Sequence, residues 1–115
     1  MSKSLNRVKP ETRILLITSR DLGQVRLTLF AIIRGVKGIE HIGLRLLDKE
    51  EVIKSLSKDP LLSEVRFIID VDELSKNDKI LKTVSDQRIK DTLRSTLHIL
   101  NVVINELVNL ITSHN

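Results

Sequence analysis

Residues 13–38 read RILLITSRDLGQVRLTLFAIIRGVKG, and how this stretch divides between strand and helix decides the fold. Ile14-Leu15-Leu16-Ile17 is a short unbroken apolar run, the mark of a strand covered on both faces. Asp21 and Gln24 then stand at N-cap and N3 spacing. Leu22, Val25, Leu29, Ile32, Ile33 and Val36 follow at helical intervals until Gly35 and Gly38. The spacing predicts a central strand over Arg13 to Ser19 and a helix from Leu22 to Val36.

Working outward, Ile42, Leu44 and Leu46 alternate with His41, Gly43 and Arg45, as in a half-buried strand. Asp48 is placed to cap a short helix bearing Val52, Ile53 and Leu56, which Asp59-Pro60 brings to a close. Val65, Phe67, Ile69 and Val71 alternate again. A polar turn at Ser75-Lys76-Asn77-Asp78 and an extended run from Lys79 to Val84 would complete a hairpin. From Ser85 or Asp86 onward, Ile89, Leu93, Leu97, Leu100, Ile104, Leu107 and Ile111 recur every three or four positions, which predicts one long C-terminal helix. The expected order is β-α-β-α-β-β-α. It describes an α+β fold with a sheet of about four strands and helices packed on it. Residues 1–10 read as a flexible, free polar N-terminal arm and residues 11–115 as a single α/β domain.

After Arg94 the last helix has Glu106 as its one full charge, while Ile99, Val102, Val103, Val108 and Leu110 widen its apolar surface. Such a helix must be covered on most sides, and one small sheet covers only one. Ile89, Leu93, Leu97, Leu100, Ile104, Leu107 and Ile111 are therefore expected to form an interface in a homodimer or in a hetero-oligomer with other protein subunits. Asn101, Asn105, Glu106 and Asn109 interrupt the run too often for a bilayer, so no membrane span is expected.

The net charge of +4 is uneven, since residues 1–38 carry eight Lys and Arg against Glu11 and Asp21. A basic surface made of Arg13, Arg20, Arg26, Arg34 and Lys37 is the candidate nucleic-acid contact, with RNA as its possible partner and a solvated charged face as the plainer reading. Phe30 and Phe67 are the two aromatic residues, so contact with nucleic acid would be electrostatic rather than by base stacking.

Catalytic signals are sparse. His41, His98 and His114 have no acidic or histidine neighbour at metal-ligand or helix-pair spacing. Asp70, Asp72 and Glu73 cluster at a strand end where carboxylates can hold Mg²⁺, yet no phosphate-binding loop accompanies them. Thr18 to Gln24 joins a buried strand to an expected helix N-terminus but lacks the glycines and lysine of a P-loop. No catalytic residue, metal or cofactor is expected, and a nucleotide-acting enzyme is the remaining alternative. The absence of cysteine fits a reducing cytoplasm.

Lys49-Glu50-Glu51-Val52-Ile53-Lys54-Ser55-Leu56-Ser57-Lys58-Asp59 resembles the first helix of the small dimer-forming subunit of the KEOPS tRNA-modification complex, a family shared with the cancer/testis antigens. Asp91-Thr92-Leu93-Arg94-Ser95-Thr96-Leu97 is similar to that family's Leu-Arg-Ala-Ser-Leu-Asn helix opening, with His98 where the family usually has Asn. The resemblance implies a non-catalytic accessory subunit that dimerises, docks on a kinase-like catalytic partner and helps hold tRNA. Residues 1–38 would be an addition to that pattern. Thr18-Ser19-Arg20, Gln24 and Arg26 also resemble the opening segment of Brix-domain ribosome-assembly proteins, which implies RNA processing.

Overall fold

Four strands form one mixed sheet in the computed structural model, which describes residues 9–74, 81 and 84–113. The strands are β1 (Arg13–Asp21), β2 (Arg26–Arg34), β3 (Gly38–Arg45) and β4 (Val65–Asp70), in the spatial order β3-β2-β1-β4. β1 and β2 are antiparallel, as are β2 and β3, whereas β4 lies parallel to β1. The helices are α1 (Lys49–Leu56), the single turns α2 (Pro60–Ser63) and α3 (Val71–Leu74), and the long α4 (Gln87–Thr112). The α+β class, a sheet of four strands and the long C-terminal helix match the sequence expectation, but only β1, β3 and β4 are strands that it placed.

The segment expected to be a helix from Leu22 to Val36 is instead the second arm of a hairpin. Leu22 N donates to Val25 O at 2.8 Å, which leaves Gly23 and Gln24 as the two central residues of the turn. Gly23 has φ +99°, the left-handed region that a glycine-first hairpin turn uses. Its amide donates to Asp21 Oδ1, so Asp21 serves the turn and not a helix. Leu27 through Ile33 are all buried, and a strand buried on both sides has no polar phase to separate it from a helix. The corrected order begins β-β-β before α1. The expected second hairpin arm, Lys79 to Val84, lies largely outside the described residues; Leu81 is helical there, and β4 takes β1 as its neighbour.

Alternation divides the core into two layers. Ile14 and Leu16 of β1 and Leu27, Leu29, Ala31 and Ile33 of β2 pack with α4. Leu15, Ile17, Phe30 and Ile32 face the other way and meet Val52 and Leu56 of α1. Capping fixes both helices: Asp48 accepts from Glu51 N, and Asp86 accepts from Arg88 N, each at 2.9 Å. Lys9 and Pro10, expected to belong to a free arm, are tied down by bonds between Lys9 O and Thr12 N and between Pro10 O and Val36 N.

Candidate interaction surface

The α4 ridge expected to be an interface is divided between buried and exposed positions. Ile89, Leu93, Leu100 and Ile104 are fully buried against the chain's own sheet, while Leu97 and Leu107 are partly buried beside them. Ile111 is exposed, together with Ile99, Val102 and Leu110. The first four residues are thus covered within one chain. The exposed surface is the outer set; Ile99, Leu110 and the half-buried Val103 share the flank opposite Asn101, the residue that Arg20 at the end of β1 reaches at 3.3 Å. His98 is exposed, and His114 lies outside the described residues. Among the described residues α4 is the one helix long and apolar enough to cross a membrane by length and composition.

A second apolar surface lies on β3. The alternation of Ile42, Leu44 and Leu46 correctly marks a strand, but its apolar side is open: Ile42 is 51% exposed, and Ile39, Leu44, Leu46 and Leu47 are exposed as well. Ile39, Ile42 and Leu44 pair across the sheet with Ile33, Ala31 and Leu29, which belong to the α4 side of the core. The exposed β3 side chains therefore share a face of the sheet with α4. On the opposite face, Gly43 lacks a side chain because Phe30 occupies its place; a Cβ there would lie 2.4 Å from the ring. Arg45 covers the same ring at 5.6 Å.

Most of the expected basic surface is neutralised from within. Arg13 pairs with Glu40 at 2.8 Å and with Glu64, Arg34 Nε lies 3.1 Å from Glu40, Arg20 lies 3.2 Å from Asp72, and Lys37 lies 3.6 Å from Glu11. Hydrogen bonding to Glu40 raises the Arg13 guanidinium above its ordinary value. Arg26 is exposed at the start of β2. These pairs reduce the net field that would attract a phosphate backbone.

The acidic cluster at the end of β4 is a polar knot. Lys49 Nζ, at the first turn of α1, donates to both Asp70 oxygens at 2.9 Å and to Asp72 Oδ2 at 2.7 Å. Asp72 also accepts from Thr18 Oγ1 at 2.6 Å and from Ser19 N at 3.2 Å. Burial alone would raise the Asp72 carboxyl, but the bonds from Lys49, Thr18 and Ser19 prevail and hold it below the usual carboxylate range. Burial likewise opposes the Lys49 ammonium, and its bonds to Asp72 and Asp70 carry it above the ordinary lysine value. Asp70 and Asp72, at a strand end where carboxylates can hold Mg²⁺, here tie α1, β1 and β4 together through Lys49, Thr18 and Ser19; Glu73 is exposed. Sequence reasoning did not connect Lys49 or Thr18 with Asp70 and Asp72, because 21 residues separate Lys49 from Asp70 and no local spacing links them.

Compared with protein-family models, curated proteins and solved structures, the chain matches none.

Proposed function

We propose that the chain is a non-catalytic assembly subunit of the cytoplasm, which self-associates or joins other protein subunits through the apolar surface on the α4 side of its sheet. The observation that carries this reading is the exposure of Ile39, Ile42 and Leu44 on the same face as a helix whose outer residues include Ile99 and Leu110. Apolar side chains grouped on one face, and not scattered singly, mark an interaction site. The resemblance to the small KEOPS subunit supplies the setting, an accessory role in a tRNA-modifying complex. The rival reading, direct nucleic-acid binding, is weakened because Arg13, Arg20, Arg34 and Lys37 already hold carboxylates.

Light scattering on the purified chain tests the proposal. A mass above the 13.1 kDa monomer is expected, and Ile99→Asp or Leu110→Asp should lower it while leaving the fold intact. A monomer at every concentration that also captures no protein partner would refute the reading.

A further inference from the structure

Resting on that self-association reading, we infer that two copies join through β3, edge to edge and antiparallel, about a two-fold axis at Gly43, so that two four-stranded sheets continue as one. β3 pairs with β2 along one side, and its other side carries no strand among the described residues. Edge strands are ordinarily blunted by lysine, proline, shortness or burial under a helix. β3 has eight residues, Gly-Ile-Glu-His-Ile-Gly-Leu-Arg, with neither lysine nor proline. Its apolar side chains stay exposed although α4 touches the strand. β4, the opposite edge, is shorter, with six residues.

The partner that fits this edge is the edge itself. With Gly43 on the axis, Ile42 stands opposite Leu44 of the second copy, and Leu44 opposite Ile42, so two apolar pairs form on the α4 side. On the other side Gly43 meets Gly43, which leaves room beside the Phe30 rings. Arg45 then comes opposite His41 of the second copy, next to Glu40. Glu40, at the irregularity in the β2–β3 pairing, is already held by Arg13 and Arg34 of its own chain, so the apolar Ile42–Leu44 pairs, and not charge, carry the fit. A one-residue slip would turn the apolar side chains to the wrong face. Moving the axis to Leu44 would carry the pairing past the end of β3 at Arg45, and moving it to Ile42 would set Leu44 against Glu40.

The chain has no cysteine, so single cysteines report on this register without background. Ile42→Cys and Leu44→Cys are made separately, mixed and oxidised, and the products are separated on a non-reducing gel; Ile42→Lys and Leu44→Lys are weighed by light scattering after circular dichroism confirms folding. Cross-linking to twice the chain mass, stronger in the mixture than in either variant alone, is expected, as are monomeric lysine variants of an associated wild type. If the lysine variants keep the wild-type mass while Leu110→Asp loses it, the edge is overturned and the assembly reading stands. Cross-linking strongest for Leu44→Cys alone overturns the axis at Gly43. A monomeric wild type that associates only after removal of residues 1–8 overturns the inference by assigning the edge to the chain's own N-terminus, and a wild type monomeric in both forms overturns self-association itself.

Discussion

Replacing Asp72 by asparagine keeps the shape of the side chain and removes its charge from a site where Lys49 Nζ lies at 2.7 Å and Thr18 Oγ1 at 2.6 Å. A hydrogen bond to a charged group contributes about 1.5–3 kcal/mol. Both partners keep some exposure, 30% for Asp72 and 23% for Lys49, so solvent screening places the expected loss near the lower end, about 2 kcal/mol. For a chain of this length that corresponds to a fall in Tm of roughly 8 °C. The pH dependence carries a definite sign. The Asp72 carboxyl is depressed in the folded chain, so its contribution is fully present above the unfolded value of about 3.9 and is lost as pH falls through the folded value. The Lys49 ammonium is raised, so its share is complete below about 10.4 and disappears only as pH rises through the folded value. Urea unfolding followed by circular dichroism should therefore show a wild-type to Asp72→Asn gap that is constant through neutral pH and narrows progressively below about pH 4. An unchanged midpoint at neutral pH, or a gap that widens in acid, would refute the ion-pair account of the knot.

Leu93→Ala and Leu100→Ala each remove a fully buried side chain between α4 and the sheet, and each should cost about 2–5 kcal/mol in urea unfolding, against roughly 0.5 kcal/mol or less for Val102→Ala on the exposed face. Gly43→Ala places a methyl 2.4 Å from Phe30 Cζ and should destabilise by about 1–3 kcal/mol; adding Phe30→Leu should recover part of that loss relative to Phe30→Leu alone, which a double-mutant cycle measures. Ser19 Oγ is buried without a hydrogen-bond partner among the described residues, so Ser19→Ala should leave the midpoint unchanged or raise it by up to about 1 kcal/mol. A clear loss of stability in Ser19→Ala would mean that the hydroxyl is satisfied by a bound water or ligand.

Local chemistry was legible in the sequence where one residue decides a backbone position. Asp48 and Asp86 announce the helices they cap, and the ridge from Ile89 to Ile104 announces the side of α4 that is buried. Residues 22–36 were misread for a physical reason. Leu22, Val25, Leu29, Ile32, Ile33 and Val36 do fall at helical spacing, but Leu27, Phe30 and Ala31 between them are buried as deeply as Leu29 and Ile32. A run with no exposed phase satisfies every period, and the discriminating signals were Gly23-Gln24 at the turn and the β-branched Val25, Thr28, Ile32 and Ile33. The polar knot was illegible because its members meet only after β4 docks beside β1. The open side of β3 was illegible because alternation reports that a strand has two faces without reporting that either is covered.

The misread segment also accounts for the exposed surface. Had residues 22–36 been a helix, the chain would have had one more cover and one strand fewer to cover. As a strand, β2 widens the sheet, and four strands at about 4.8 Å spacing present a face about 14 Å across between the outer strand axes. A helix with its side chains is about 10 Å wide, enough for two central strands but not for all four. α4 closes over β1 and β2, whose side chains on that face are buried, while Ile39, Ile42 and Leu44 on β3 stay open. On the other face α1 has eight residues and covers Leu15, Ile17, Phe30 and Ile32. The apolar sheet is thus wider than the described helices cover, and the uncovered strip lies along the β3 edge on which the proposed pairing rests.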